Sequence, residues 1–363
     1  NLAGRAGRVG HDSVGVVGIV TSDEEDSTRR LTEFVAEQTY ALASRLIDLI
    51  EKIVDRSPDA QLMTVIRDDE WADFRSFIAH LLREANDLQQ LVSRTEPILR
   101  GTLGYSSMRG DTDARSRRRA QVLLDVTTGY ARRLARNMGA LRLADSTGFD
   151  PEGIQTAMQE LKGLEQRLTP ADWTPASLFG DGVGLSSLFG VMMRIPALNE
   201  AINDIAGTGR DRRRVAEIAK AWVSGRSVHE IARSYFSGDD DTAKITEACR
   251  GISKALINNS VWGLAALSKL PGSGIDWDSL SEDQQRQINL LPAFLYHGVD
   301  SEEGVLMRMN QVPRSVAKPL GEAMRRAAGT DREITVQEAR RFLKDLRPAE
   351  WERFRPANAT LTG

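Results

Sequence analysis

The chain opens with a short strand-like run, and helical spacing prevails almost everywhere after it. VGVVGIV at 14–20 is apolar, β-branched and bounded by turn residues, which predicts a buried strand. From about Asp26 the period lengthens. Leu31, Val35, Tyr40, Leu42, Leu46, Leu49, Ile50 and Ile53 recur at three- and four-residue spacing as far as Arg56, the stripe of an amphipathic helix. Ser57 and Pro58 then supply a cap and a first helical position. A second helical stretch runs through WADFRSFIAHLLREANDLQQLVSR and breaks at RGTLGYSSMRGD, whose Gly, Ser and Asp predict a loop or hinge. A long helix is predicted from about Ala114 to Leu143, ended by the turn residues of DSTGFDPEG. The segment 168–190 reads as ordered loop with short helical turns. Helical patterning resumes over 211–268, pauses at LPGSG and returns to about Leu346, leaving a tail predicted to fray.

Composition agrees with a mainly helical chain. Of 363 residues 41% are hydrophobic, 27% charged and only 6% aromatic, which excludes a disordered protein and disfavours a β-rich one. Lys and Arg number 48 against 51 Asp and Glu, so bulk charge selects no partner and any nucleic-acid signal has to be local. Cys249 is the single cysteine; it excludes an internal disulfide and a cysteine zinc site, and points to a reducing compartment. No apolar run approaches the roughly 18 to 20 residues that span a bilayer, so no membrane partner and a cytoplasmic location are expected. The four histidines, His11, His80, His229 and His297, share no metal-ligand spacing. Ser186 and Ser187 in DGVGLSS lack the neighbours of a nucleophile elbow and read as turn residues.

The first eight residues, NLAGRAGR, pair Gly with Arg twice, three residues apart. A dinucleotide loop needs a strand before its glycines, and here the strand follows. A Walker A loop ends in Gly-Lys, a dipeptide absent from the sequence. The segment resembles motif VI of superfamily 2 helicases (DEAD/DEAH type, exosome-associated and repair-helicase-like), Q-x-x-G-R-x-G-R followed by a Gly-containing turn and a strand of the second RecA-like domain. Asn1, Gly4, Arg5, Gly7 and Arg8 fall on that pattern, with Asn1 in place of the usual Gln or His. The resemblance covers about 25 residues. It implies that Arg5 and Arg8 reach the γ-phosphate of ATP as arginine fingers, with Gly4 and Gly7 allowing the tight turn that aims them. It also implies ATP and Mg held mainly by a first RecA-like domain. Walker A and a DExx box belong on that domain, and the chain is accordingly expected to be the C-terminal part of a longer protein, inactive as an ATPase by itself. LMTVIRDDE at 62–70 imitates a DE box but falls within helical patterning, so it reads as a solvated helix segment.

Charge is concentrated between Arg100 and Arg142. Ten arginines and three aspartates leave a local excess of seven positive charges. On a helix, Arg115, Arg118, Arg132, Arg133 and Arg136 share one arc, while Leu123, Val126, Tyr130, Leu134, Met138 and Leu141 fill the other side. Such a face could track the phosphates of a single strand, similar in role to the ratchet helix of several helicases, or be a solvated face neutralised by acids such as Glu152, Glu160 and Glu165.

GRDRRRVAEIAKAWVSGRSVHEIARSYF has helix-turn-helix chemistry. Val215, Ile218, Ala219, Trp222 and Val223 form an apolar face, Gly225 ends the helix, and Ser227 with Glu230 forms a capping box. It resembles the C-terminal helical region of exosome-associated helicases, with TEACRGISKALINNSVWGLAAL as the last helix. Either it packs as scaffold, or Arg226, His229 and Arg233 face a DNA groove. GVLMRMNQVPRSVAKPLGEAMRRA predicts two short helices split at Val312 and Pro313, either packed or contacting a backbone through Arg314, Lys318, Arg325 and Arg326.

The expected organisation is the end of a RecA-like α/β domain over 1–24, helical segments over 25–110, 111–206, 207–270 and 271–346, and a tail over 347–363. The expected function is the C-terminal part of an ATP-dependent nucleic-acid helicase, with DNA or RNA as partner and protein partners possible. The alternatives are a helical nucleic-acid-binding module without a motor, and a helical protein-interaction scaffold.

Overall fold

A computed structural model describes residues 27–29, 50, 66, 69–84, 88–180, 183–329 and 333–354. Among them the chain is mainly α-helical, with no strand. The strand expected at 14–20 and nearly all of the helix expected at 26–56 lie outside the described residues; 27–29 are helical. The chain divides into two compact units, one made of 1–61 and 93–127, the other of 62–92 and 128–363.

In the first unit, RGTLGYSSMRGD forms a helix, Leu103–Gly110, where the glycines and serines had predicted a loop. Burial overrides propensity here. Tyr105 is fully buried and Met108 nearly so, one turn apart on one face. Glu96 supports the helix by receiving Arg100 at 3.1 Å, Arg109 at 3.3 Å and the Tyr105 hydroxyl at 3.5 Å.

The second unit is a multi-helix body. Gly184–Met192 is strongly apolar, with Leu185, Leu188, Phe189, Val191 and Met192 buried. It packs on the helices Pro151–Lys162, Pro196–Ala206 and Arg212–Val223. The expectation of short turns over 168–190 holds for Pro170–Trp173 and Pro175–Phe179, but Ser186 and Ser187 are helical residues, not turn residues. Their hydroxyls both donate to the Val183 carbonyl. Gly184 sits mid-pattern because neighbours come close; a Cβ there would lie 3.1 Å from Leu178.

The loop at LPGSG is where two distant segments meet. Trp173 Nε1 donates to the Ser273 carbonyl at 2.8 Å, and Gly274, at φ +80°, passes so near Leu168 that a Cβ would fall 1.8 Å from its carbonyl oxygen. Asp241–Gly251 continues through nine residues of π-helix, Ile252–Ser260, into Val261–Leu267. The widened turn is closed by Val261 donating to the Leu256 carbonyl and Ser260 Oγ to the Ala255 carbonyl, both five residues back. Trp262 then crosses to Phe149 and donates to the Thr147 carbonyl at 2.6 Å.

Candidate nucleic-acid interface

Asn1, Gly4, Arg5, Gly7 and Arg8 lie outside the described residues. The basic segment is described, and it corrects the expectation of one helix over 114–143. Ala114–Leu134 ends, Ala135 and Arg136 turn, and Asn137 caps a new helix, Met138–Thr147, its side chain accepting from the Ala140 amide at 3.0 Å. Asparagine competes for backbone donors and favours this cap over helix continuation. Arg136 is therefore a turn residue.

The core side of the segment is as the pattern predicts: Leu123, Val126, Tyr130, Leu134 and Leu141 are buried. Arg115 and Arg118 of the first unit are exposed, and so are Arg132, Arg133 and Arg136 of the second. Arg118, Arg132 and Arg136 take part in no ion pair among the described residues. Part of the local positive excess is used internally, since Arg100 and Arg109 share Glu96. Asp113 caps the basic helix through the Ser116 amide. Asp111, hydrogen-bonded by the Asp113 amide and the Ser116 hydroxyl, keeps its carboxyl below the usual range.

Glu152, one of the acids considered as a neutraliser of the arginine face, is occupied elsewhere. It accepts the Tyr130 hydroxyl at 2.6 Å and lies 3.3 Å from Arg75. Arg75 is fully buried; its Nε meets Asp150 at 2.6 Å and its Nη1 donates to the Ile66 carbonyl at 2.7 Å. Burial pushes the Asp150 carboxyl above the ordinary range against the opposing pull of Arg75. Burial, then the Glu152 charge, raises the Tyr130 hydroxyl as well. No sequence spacing announced this cluster, because its partners are 75 residues apart.

The helix-turn-helix forms as its residues predict. Arg212–Val223 ends at Gly225, φ +88°, and Ser227 and Glu230 complete the capping box of Val228–Tyr235. Those hydrogen bonds from Ser227 hold the Glu230 carboxyl below the usual range. Its basic side chains are partly occupied: Arg226 donates to Ser234 Oγ at 3.0 Å, and Arg233 pairs with Asp241. His229 is exposed.

The 304–327 segment forms the helices Glu302–Met309 and Arg314–Ala328; Arg314 packs inward, whereas Lys318 and Arg326 are exposed. Arg314 lies 3.9 Å over the Trp222 ring and donates to the Trp222 and Arg226 carbonyls. Burial lowers its pKa to about 10, which leaves it charged at neutral pH. Lys318 pairs with Asp300 at 2.6 Å, and Arg325 with Glu303.

Among the described residues no helix is long and apolar enough to cross a membrane. Comparison of the chain with protein-family models, with curated proteins and with solved structures found no match.

Proposed function

We propose that this chain is the C-terminal region of a superfamily 2 nucleic-acid helicase, acting in the cytoplasm, whose residues 1–24 end a second RecA-like domain. The observation that carries the reading is the register of Gly4, Arg5, Gly7 and Arg8 with motif VI, followed by VGVVGIV. Arg5 and Arg8 would present permanently charged, planar donors to the γ-phosphate of ATP bound with Mg on a first RecA-like domain. Gly4 and Gly7 would let the backbone turn beneath them. Exposed arginines of the basic segment, Arg115 and Arg118 in one unit and Arg132, Arg133 and Arg136 in the other, would pair with phosphates of the strand.

The strand contact is tested on the chain itself by fluorescence anisotropy with a labelled single strand across a salt series. Replacing Arg132, Arg133 and Arg136 together by Ala removes about three phosphate contacts and should flatten the log–log salt slope by about 2. Unchanged affinity and slope would overturn that assignment. The same loss without any link to ATP hydrolysis would favour a helical strand-binding module lacking a motor.

A further inference from the structure

We propose that the second unit holds a binding site for a phosphate ester bearing a neighbouring hydroxyl. The site is a pocket of about 310 Å³ between the ends of Pro151–Lys162 and Gly184–Met192, the helix Pro196–Ala206 and the start of Arg212–Val223. The proposal stands apart from the helicase reading, which uses none of these residues.

Three arginines line the pocket, Arg194 from one side and Arg210 and Arg212, two residues apart, from another stretch. None of them makes an ion pair or side-chain hydrogen bond among the described residues, although Glu160 and Glu165 line the same walls. Their guanidinium donors therefore remain available to an incoming anion, and phosphate oxygens match that fork geometry. Arg212 lies across Gly190, where a Cβ would come within 3.1 Å of its Cδ and 3.2 Å of its Nη1. The bare glycine gives the arginine its bed. Arg210 holds φ +47°, a backbone region where glycine would be relaxed and a long side chain is uncommon.

Asn203 supplies the second half of the argument. Its Oδ1 is buried in this wall and has no hydrogen-bond partner. A buried acceptor left unmatched is costly, and an N–H or O–H donor from a ligand would satisfy it. Three cations with one unmet acceptor fit a phosphate beside a hydroxyl. The two glutamates offer further acceptors to hydroxyls and disfavour a bare polyanion. A sugar phosphate has this chemistry, either free in solution or as one nucleotide of a strand.

The test is isothermal titration calorimetry on the full chain with inorganic phosphate, ribose 5-phosphate and a short single-stranded RNA. Arg194→Gln and Arg210→Gly remove exposed, unpaired side chains, and the second relaxes the turn, so both variants should melt as the parent does. Ribose 5-phosphate should bind saturably and tighter than phosphate. Each arginine variant should weaken it on the order of tenfold or more, and Asn203→Ala should bring it down to the affinity of phosphate. If the arginine variants weaken RNA in parallel, the ligand is a unit of the strand; if only ribose 5-phosphate weakens, it is a free sugar phosphate. Absence of saturable binding by both ribose 5-phosphate and RNA at millimolar concentration, or affinities unmoved in the arginine variants, would overturn the proposal.

Discussion

Replacing Arg75 by Met probes the most deeply buried charge in the second unit. The wild-type guanidinium is fully buried against Asp150, Glu152 and the Ile66 carbonyl. Methionine keeps much of the apolar stem and removes the charge, so Asp150 is left buried and without its cation. Removing one partner of a buried pair costs about 3 to 5 kcal/mol. For a body of this size each kcal/mol moves the midpoint by about 2 to 4 °C, so the melt followed by circular dichroism should drop by about 10 °C. The cost should also depend on pH. Asp150 already titrates above the ordinary carboxylate range because burial disfavours its charge, and losing Arg75 raises it further. A raised acid makes the folded state bind more protons than the unfolded chain, so its stability falls as pH climbs from 3.8 through the folded pKa. The gap between parent and Arg75→Met should therefore widen from acid toward neutral pH, and Asp150→Asn in the same chain should restore part of it. A loss below about 1 kcal/mol that stays flat with pH would refute the reasoning, since that is the range of an exposed pair.

Gly274→Ala would set a Cβ 1.8 Å from the Leu168 carbonyl oxygen at φ +80°, so a loss beyond about 3 kcal/mol in urea unfolding is expected, whereas Gly209→Ala, with open space around it, should cost under about 1 kcal/mol. Arg314→Gln loses the charge over Trp222 and the bonds to the Trp222 and Arg226 carbonyls; about 2 kcal/mol should disappear, with faster proteolysis at the Ser224–Arg226 turn. Burial holds His297 below its ordinary 6.5, so the unfolded chain binds the extra proton; stability should rise with pH up through that value, and a His297→Gln melt series lacking the rise checks it.

Local chemistry was the readable part of this sequence. Ser227 with Glu230, Gly225 and Gly148 announced their helix ends, and each is found at one. What the pattern concealed depended on distant packing. Tyr105 and Met108 draw a glycine- and serine-rich stretch into a helix, and Gly184 and Gly190 serve close contacts inside or beside a helix that local propensity would break. At Asn137 the cap signal was present, but unbroken apolar spacing on both sides masked it. The Arg75 cluster joins side chains 75 residues apart, which no window of sequence brings together, and the pocket of Arg194, Arg210 and Arg212 takes its other walls from Glu160 and Glu165 on a different helix end. The arginines of the basic segment were legible as a cluster; that Glu96 occupies two of them was not.

The central claim is that Arg5 and Arg8 complete an ATP site that this chain does not hold alone. It is tested most directly by steady-state ATP hydrolysis, with single strand present, by the 363 residues alone and by the polypeptide joining them to a RecA-like domain with Walker A. The account predicts no turnover by the chain alone, turnover by the joined protein, and a fall on the order of a thousandfold or more in kcat on Arg5→Ala or Arg8→Ala. Turnover by the chain alone, or by a joined protein indifferent to both arginines, would contradict it.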